Sequence, residues 1–554
     1  MCIIIQGGNM EQKKKRGLKQ TFMTGVLVIV ISQILIKALG FIYKLVITNI
    51  PEFGDAGNGY YSAGYQIYML LIAISSMGIP GAISKLVSER RAKGDYRGAH
   101  RIFRVAFGLF ACIGAVGSLI LFFGARFIAY TIIDNPGAEY VIVCLSPAVF
   151  FVCISAVIRG YFNGMQNMEA TGRSQVFEQV FNCVLTITIV YMLIGTNTVI
   201  MAAGSSIATT LATMISFIYL TIFYKRRKEE IWENIRLNQT TDETVTDRRT
   251  VKNIVKGILA LSIPISLGSI ISAINRTVDA TTVLRGIKES MGYTDEVANY
   301  WYGILAGKID ALTSFPLALN IAFSIALIPA ISAAMAIGDK KSASKRVSFS
   351  MQLTMLIGLP CTVGMVVLAD PILHLLYPNA PEGAMLLQIS AFTIIFTALS
   401  QTMNGALQGL GKVFVPAISL GCGCLVKLIC NLVLIYNPMF NIYGAAIGSV
   451  ACHIVASSIS FIVLSRNIQL DIDIVRFLIK PVIINVIMGL IAWGSFVALN
   501  GTLSMSMATI CAIMLAVLSY AIMIVLFRVL HKEDYYMIPG GKNIVGVLEK
   551  LKIY

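Results

Sequence analysis

The chain has 554 residues, of which 56% are hydrophobic and only 13% are charged. The charged share is about half that of an ordinary soluble domain, which argues against a soluble enzyme. The net charge of +16 is expected for a membrane protein, because the cytoplasmic loops of such proteins are rich in Lys and Arg. The composition therefore argues against a nucleic-acid partner as well.

Apolar runs bounded by charge or by Gly, Pro and Asn predict an all-α, polytopic membrane protein with about fourteen transmembrane helices. The predicted spans are 22–48, 60–80, 104–131, 140–160, 176–194, 199–224, 257–284, 301–337, 348–369, 384–408, 413–436, 443–464, 478–499 and 505–528. An even number of spans puts both termini on one side. If that side is cytoplasmic, the basic residues of the external loops are Arg126, Arg285 and Lys288. This small number agrees with the positive-inside rule.

The longest hydrophilic stretch divides the spans into two sets of six, followed by two more. We predict a cytoplasmic basic tail (1–21), an N-terminal six-helix lobe (22–224), a cytoplasmic linker (225–256), a C-terminal six-helix lobe (257–464), two additional helices (465–530) and a cytoplasmic tail (531–554). Met10 is an alternative start to Met1.

The two six-helix sets resemble a weak internal repeat. Ile79-Pro80-Gly81-Ala82-Ile83-Ser84 near the end of the second span parallels Ile328-Pro329-Ala330-Ile331-Ser332 in the eighth, and each is followed by a Gly-Asp dipeptide and a basic segment. Gly160-x-x-x-Gly164 parallels Gly405-x-x-x-Gly409. An even number of helices in each copy gives both copies one orientation, the parallel type of transporter repeat. For the two GxxxG sequences we expect a packing or turn role.

The first span carries a polar stripe. Gln33, Lys37, Gly40, Lys44 and Thr48 recur at intervals of three and four residues, which places them on one face of a helix. Charged groups that persist inside a membrane usually face a cavity or a partner. The alternative for Lys44 is that its ammonium reaches the outer interface.

Two further spans carry internal charges. Arg276 and Asp279 of the seventh span are three residues apart, so they can pair locally, and a purely structural ion pair is the alternative. Lys308 and Asp310 of the eighth span point to different faces. Lys308 therefore needs another partner, and we expect it to bind an anionic ligand. Lys427 of the eleventh span is equally consistent with packing and with function.

The predicted site follows from these charges, in which positive groups outnumber negative ones. A cavity with a net positive charge and little water attracts phosphate, so we predict an anionic substrate such as a diphosphate, bound in a central cavity by Lys37, Lys44, Arg276 and Lys308. Asp279 and Asp310 are candidates for ion coupling or charge pairing. We predict no catalytic residues, no metal and no cofactor, because Walker A, HExxH and GxSxG motifs are absent from the sequence.

These features together resemble a known family. The arrangement of six, six and two spans, the pattern Lys37-x-Leu39-Gly40-Phe41-x-Tyr43-Lys44, and the eighth-span pattern Lys308-x-Asp310, Phe315-Pro316, Ile328-Pro329 are similar to the multidrug/oligosaccharidyl-lipid/polysaccharide (MOP) exporter superfamily. Within it, the chain resembles the stage V sporulation protein B and MurJ-type lipid II flippase branch. Lys stands here where Gram-negative members carry Arg, and the segment from Tyr65 to Ile79 has no charge.

The resemblance implies a two-lobed transporter in the bacterial cytoplasmic membrane. It would move an undecaprenyl-diphosphate-linked oligosaccharide, lipid II in particular, to the outer leaflet by alternating access. In this branch, basic residues at the positions of Lys37 and Lys308 face the cavity, and the last two helices hold the lipid tail. The expected partners are that lipid-linked diphosphate, membrane lipid and a coupling cation or proton. The alternatives are a cation-coupled multidrug exporter of the same superfamily, a membrane-embedded glycosyl- or acyltransferase, and a non-transporting scaffold.

Overall fold

The computed structural model describes residues 22–237, 250–470 and 472–530, and the secondary structure in these ranges is helical. The predicted tails and part of the predicted linker lie outside the described residues. The α-helices are α1 (Phe22–Thr48), α2 (Gly54–Ser75), α3 (Ile79–Ala92), α4 (Tyr96–Phe127), α5 (Ala138–Gly164), α6 (Glu169–Met192), α7 (Thr198–Arg226), α8 (Lys228–Leu237), α9 (Val251–Met291), α10 (Asp295–Gly303), α11 (Asp310–Ala336), α12 (Lys340–Val367), α13 (Ala369–Leu376), α14 (Ala384–Gly409), α15 (Val415–Leu434), α16 (Tyr443–Asn467), α17 (Lys480–Asn500) and α18 (Met505–Leu526). Segments Ile128–Ile133, Ile304–Ile309 and Val475–Ile479 are π-helical.

The polytopic all-α fold is confirmed. Within the described ranges, 13 helical segments are long and apolar enough to cross a membrane. The predicted eighth span, 301–337, coincides with the end of α10, a π-helical turn and α11. The predicted second span, 60–80, is split, because α2 ends at Ser75 and α3 starts at Ile79 with Pro80 in its first turn. Pro is accepted there because its missing N–H would have no helical partner.

The chain forms two compact units, one ending at Arg285 and the other beginning at Gly286. The boundary between these units lies inside α9, and the domain bounds given by the sequence stay predictions. The first part of α9 packs within unit 1, where a methyl group built on Gly78 would lie 2.2 Å from the carbonyl oxygen of Ser262. In unit 2, α17 and α18 share an apolar core with α12 that includes Met488, Ala512 and Leu356.

The repeated Gly-Asp dipeptides form the same turn in both units. Gly94 and Gly338 end a helix in the left-handed region, with φ of 77° and 75°, which glycine adopts without steric cost. Asp95 then caps α4 by accepting from the N–H of Gly98 at 2.7 Å. Asp339 caps α12 by accepting from the N–H of Ser342 at 2.9 Å. The Gly-Asp segment of the predicted repeat thus forms the same capped turn at both places, while the repeat of six helices stays a prediction.

The two GxxxG sequences also pack alike, and their packing role is confirmed. A methyl group on Gly164 would lie 2.8 Å from the carbonyl oxygen of Ser84 on α3, and one on Gly405 would lie 2.5 Å from that of Ser324 on α11. Gly409 accepts a hydrogen bond from the Ser332 hydroxyl at 3.0 Å. In each unit the glycine-bearing helix therefore lies directly against the helix that carries the Ile-Pro motif, as small residues permit in membranes.

We expect Gly405→Ala to lower the thermal melting temperature of the purified protein, because the new methyl group meets backbone. Overpacking of this kind costs roughly 1–3 kcal/mol. Gly364→Ala is the matched control, since nothing lies within 4 Å of a methyl group built there and both positions are helical. Equal melting temperatures for the two variants in a detergent-based fluorescence assay would contradict the close packing of α14 against α11.

Candidate functional site

The polar stripe of α1 faces α6 within unit 1. The Gln33 amide donates to the Gln175 side-chain oxygen at 3.2 Å, and a methyl group on Gly40 would lie 3.6 Å from the amide nitrogen of Gln179. Lys37 lies on the same stripe, between these two contacts, and its side chain is exposed. The polar stripe of the first span therefore lies against polar side chains of α6, and substrate binding by Lys37 stays a prediction.

Lys44, two turns further along the stripe, is half-buried. Its ammonium nitrogen lies 5.9 Å from the centre of the Tyr61 ring, a cation–π distance. Tyr61 stacks on Tyr65 at 5.3 Å between ring centres, and Tyr65 lies 5.6 Å from the ring of Tyr68. A row of aromatic rings on α2 thus runs from Lys44 into the interior of unit 1.

This row leads into a pocket of about 320 Å³ that lies entirely within unit 1. Helices α2, α3, α5, α6 and α7 supply its walls. The polar part of the lining combines tyrosine rings, amides and hydroxyls with one acidic and one basic side chain: Tyr65, Tyr68, Ser76, Arg159, Thr171, Gln175, Glu178, Gln179, Asn182, Thr209 and Thr213. A polar pocket of this size inside an apolar helix bundle is a candidate ligand site.

Arg159 and Glu178 form a close ion pair in the pocket wall. The guanidinium Nη2 lies 2.6 Å from the Glu178 carboxylate and donates to the Ser216 hydroxyl at 2.9 Å. Its Nε donates to the Ser174 hydroxyl at 2.9 Å. The position equivalent to Arg159 in the second repeat is Asn404, which accepts from the Ser460 hydroxyl at 3.2 Å. The first repeat therefore holds a neutralised charge pair where the second holds an uncharged amide.

The sequence reasoning missed Arg159 and Glu178. Arg159 immediately precedes the first glycine of the first GxxxG sequence, and Glu178 is the one charged residue of the predicted span 176–194. A carboxylate within a span is costly without a partner, and this signal could have found Glu178. Its partner lies on another helix, 19 residues away, so sequence spacing could not identify it.

Arg276 and Asp279 lie one turn apart on α9, with Arg276 exposed and Asp279 half-buried. Local pairing of these two side chains stays a prediction. The roles of both residues in binding and coupling stay predictions.

Lys308, in unit 2, is buried rather than open to a cavity. Its side chain is 1% exposed, and its ammonium donates to the carbonyl oxygen of Ala380 at 2.6 Å. The nitrogen also lies 5.5 Å from the centre of the Tyr377 ring. The expectation that Lys308 needs a partner away from its own helix is met by these two groups, while anion binding by Lys308 stays a prediction.

Asp310 and Lys427 complete the charges of unit 2. Asp310 begins α11 and is exposed, whereas Lys427 on α15 is 2% exposed. His453 on α16 lies within electrostatic range of both. Among the predicted site residues, Lys37, Lys44, Arg276 and Asp279 thus lie in unit 1, and Lys308 and Asp310 lie in unit 2.

Comparison with known families gives two matches. Residues 22–335 match the family described as "Polysaccharide biosynthesis protein", and residues 307–433 match the MatE family. The first match covers more than half of the chain.

The similar proteins agree with these families. Stage V sporulation protein B of Bacillus subtilis (strain 168) is 25% identical over 523 residues, which cover 94% of this chain and 98% of that protein. Lipid II flippase MurJ of the same organism is 25% identical, covering 85% and 88% of the two chains.

The fold is shared with solved structures. A structure of lipid II flippase MurJ in an inward closed conformation superposes with a TM-score of 0.67 at 14% identity, covering 90% of this chain and 98% of that one. An inward-facing multidrug resistance MATE family transporter of the MOP superfamily gives 0.63 at 14% identity, covering 80% and 97%. The chain belongs to the polysaccharide biosynthesis protein family, on the stage V sporulation protein B and MurJ-type branch of the MOP exporter superfamily.

Proposed function

We propose that this protein is a flippase that moves an undecaprenyl-diphosphate-linked oligosaccharide, lipid II in particular, across the bacterial cytoplasmic membrane by alternating access. The observation that carries the proposal is the lysine-bearing face of α1 beside a polar pocket, within a bundle of apolar helices. Lys37 and Lys44 lie on that face, and the Gln33–Gln175 hydrogen bond joins it to the pocket wall.

The chemistry of the cargo explains why fixed cations are needed. A diphosphate headgroup must cross about 30 Å of hydrocarbon, where an uncompensated charge is costly. Ammonium groups positioned along the route replace the water that the phosphates lose. Sugar hydroxyls also need hydrogen-bonding partners on the way, and the polar pocket supplies them.

Relatives support this cargo class. A lipid II flippase and a stage V sporulation protein each align with most of this chain at 25% identity. We place both termini in the cytoplasm on the distribution of Lys and Arg. Because binding alone cannot drive net movement, we assign coupling to a cation or proton and keep Asp279 and Asp310 as the candidate groups.

The test is complementation. The full chain is expressed in bacteria depleted of their own lipid II flippase, with the empty vector as control and membrane abundance measured by immunoblot. Rescue of growth is the expected result. A second arm reconstitutes the purified protein in vesicles that contain fluorescent lipid II and follows its appearance in the opposite leaflet.

Other outcomes would overturn the proposal. Failure of a well-expressed chain in both arms would exclude lipid II as cargo. Raised resistance to lipophilic cations on overexpression, without lipid movement, would favour the drug-exporter alternative. Formation of a new glycolipid product by the purified protein would favour a transferase.

A further inference from the structure

The pocket of unit 1 presents two aromatic rings to its interior. Tyr65 is half-buried and Tyr68 is 3% exposed, and their rings are 5.6 Å apart and tilted by 44°. Two tilted rings offer flat apolar surface at a fixed angle. Aromatic faces pack well against the C–H faces of a ring-shaped ligand, while each tyrosine keeps a polar tip.

The ionic groups of this pocket are already neutralised. The Arg159 guanidinium engages the Glu178 carboxylate and two serine hydroxyls, and its side chain is 12% exposed. An incoming phosphate would have to displace Glu178, and an incoming cation would have to displace Arg159. A charge pair held in this way favours a neutral polar ligand over either ion.

The remaining polar lining can still bond a ligand. The Asn182 oxygen accepts from Thr186 and Thr209 at 3.2 and 3.3 Å, which leaves its amide N–H groups directed elsewhere. Gln179 makes no side-chain hydrogen bond to another residue in the ranges that the structure describes. Side-chain amides donate and accept at one group, which suits adjacent hydroxyl and N-acetyl groups.

We infer that the pocket lined by Tyr65, Tyr68, Gln179 and Asn182 is a saccharide subsite, which binds one or two sugar rings of the cargo while the lysines of α1 hold its diphosphate. This inference rests on the proposed function. The volume of about 320 Å³ is at the lower end of the roughly 300–1,000 Å³ of small-molecule sites, so it fits a small saccharide and not a long glycan.

The position of α1 explains how both parts of the headgroup are bound together. The sugar of such a lipid is attached directly to the diphosphate. Gly40 lies against Gln179, and Lys37 is one turn before Gly40 on the same face. A diphosphate held at Lys37 therefore places its first sugar next to the amides of α6.

The experiment measures binding of a free N-acetylhexosamine disaccharide, chitobiose, to the full chain by saturation-transfer difference NMR, with maltose and inorganic diphosphate as comparison probes. The variants are Gln179→Leu, which keeps side-chain volume, and Tyr65→Leu, which removes one ring. Gln408→Leu is the matched control, because Gln408 is exposed on α14 of unit 2. We expect chitobiose binding to weaken about five- to tenfold in Gln179→Leu, as for one lost hydrogen bond, and to stay unchanged in Gln408→Leu.

The outcomes separate this inference from the proposed function. Unchanged chitobiose binding in folded Gln179→Leu, or no binding by the wild type, would overturn the saccharide subsite even if complementation succeeds. Selective loss of chitobiose binding in the pocket variants, with diphosphate binding retained, supports the subsite even if lipid II proves to be the wrong cargo. Loss of diphosphate binding in Gln179→Leu would instead overturn the separation of sugar and phosphate sites.

Discussion

Lys37→Ala is expected to abolish rescue of a flippase-depleted strain while the amount of protein in the membrane stays the same. Lys37 is exposed on the polar face of α1, so its removal leaves no cavity and breaks no packing. A hydrogen bond to a charged partner contributes about 1.5–3 kcal/mol. The loss of one phosphate contact should therefore weaken headgroup binding roughly 10- to 150-fold.

Two companion variants make this result interpretable. Lys37→Arg keeps the positive charge and should retain rescue, because a guanidinium also binds phosphate. Lys412→Ala removes an exposed lysine of the α14–α15 connection and should have no effect. Full rescue by Lys37→Ala at normal abundance would show that the cation of α1 does not contribute to transport.

Lys308→Ala is expected to act differently, by destabilising unit 2. The substitution removes a side chain that is 1% exposed and leaves the Ala380 carbonyl without the donor that now lies at 2.6 Å. Buried large-to-small substitutions cost roughly 2–5 kcal/mol, and an orphaned buried acceptor adds about 1–3 kcal/mol. We expect a lower melting temperature and reduced membrane abundance, with rescue falling in proportion.

Lys308→Met separates the two contributions to this loss. Met fills most of the space of the lysine stem but donates no hydrogen bond, so its melting temperature should lie between those of the wild type and Lys308→Ala. Normal melting and abundance of Lys308→Ala together with lost rescue would overturn this account. That pattern would assign Lys308 to the substrate in another conformation of the transport cycle.

The parts of the structure that follow from local chemistry could be predicted from sequence. The Gly-Asp turns recur because glycine is suited to φ near 75° and aspartate is suited to cap the next helix. The polar face of α1 follows from helical periodicity alone. The division between the units inside α9 could not be predicted, because it depends on which helices α9 contacts and not on its own apolar run.

The partners of the buried charged residues could not be predicted from the sequence either. A spacing of two residues correctly places Lys308 and Asp310 on different faces of one helix. The acceptor of Lys308, however, is the carbonyl of Ala380, 72 residues later, in a connection whose course the sequence does not reveal. Arg159 and Glu178 meet across two helices in the same way. Helical periodicity cannot predict partners that tertiary packing brings together from different elements.

The Arg159–Glu178 pair also bears on how the protein responds to membrane voltage. Each elementary charge moved through a potential of 100 mV exchanges about 2.3 kcal/mol with the electric field. A guanidinium and a carboxylate held 2.6 Å apart move as a neutral unit, so the pocket of unit 1 can change its depth in the membrane with little electrical work. Lys37 has no ion-pair partner within the described ranges. If Lys37 binds the cargo as we propose, the field would act on Lys37 and on the bound phosphates, and the measured charge movement of a transport cycle should depend on that lysine and not on the pocket.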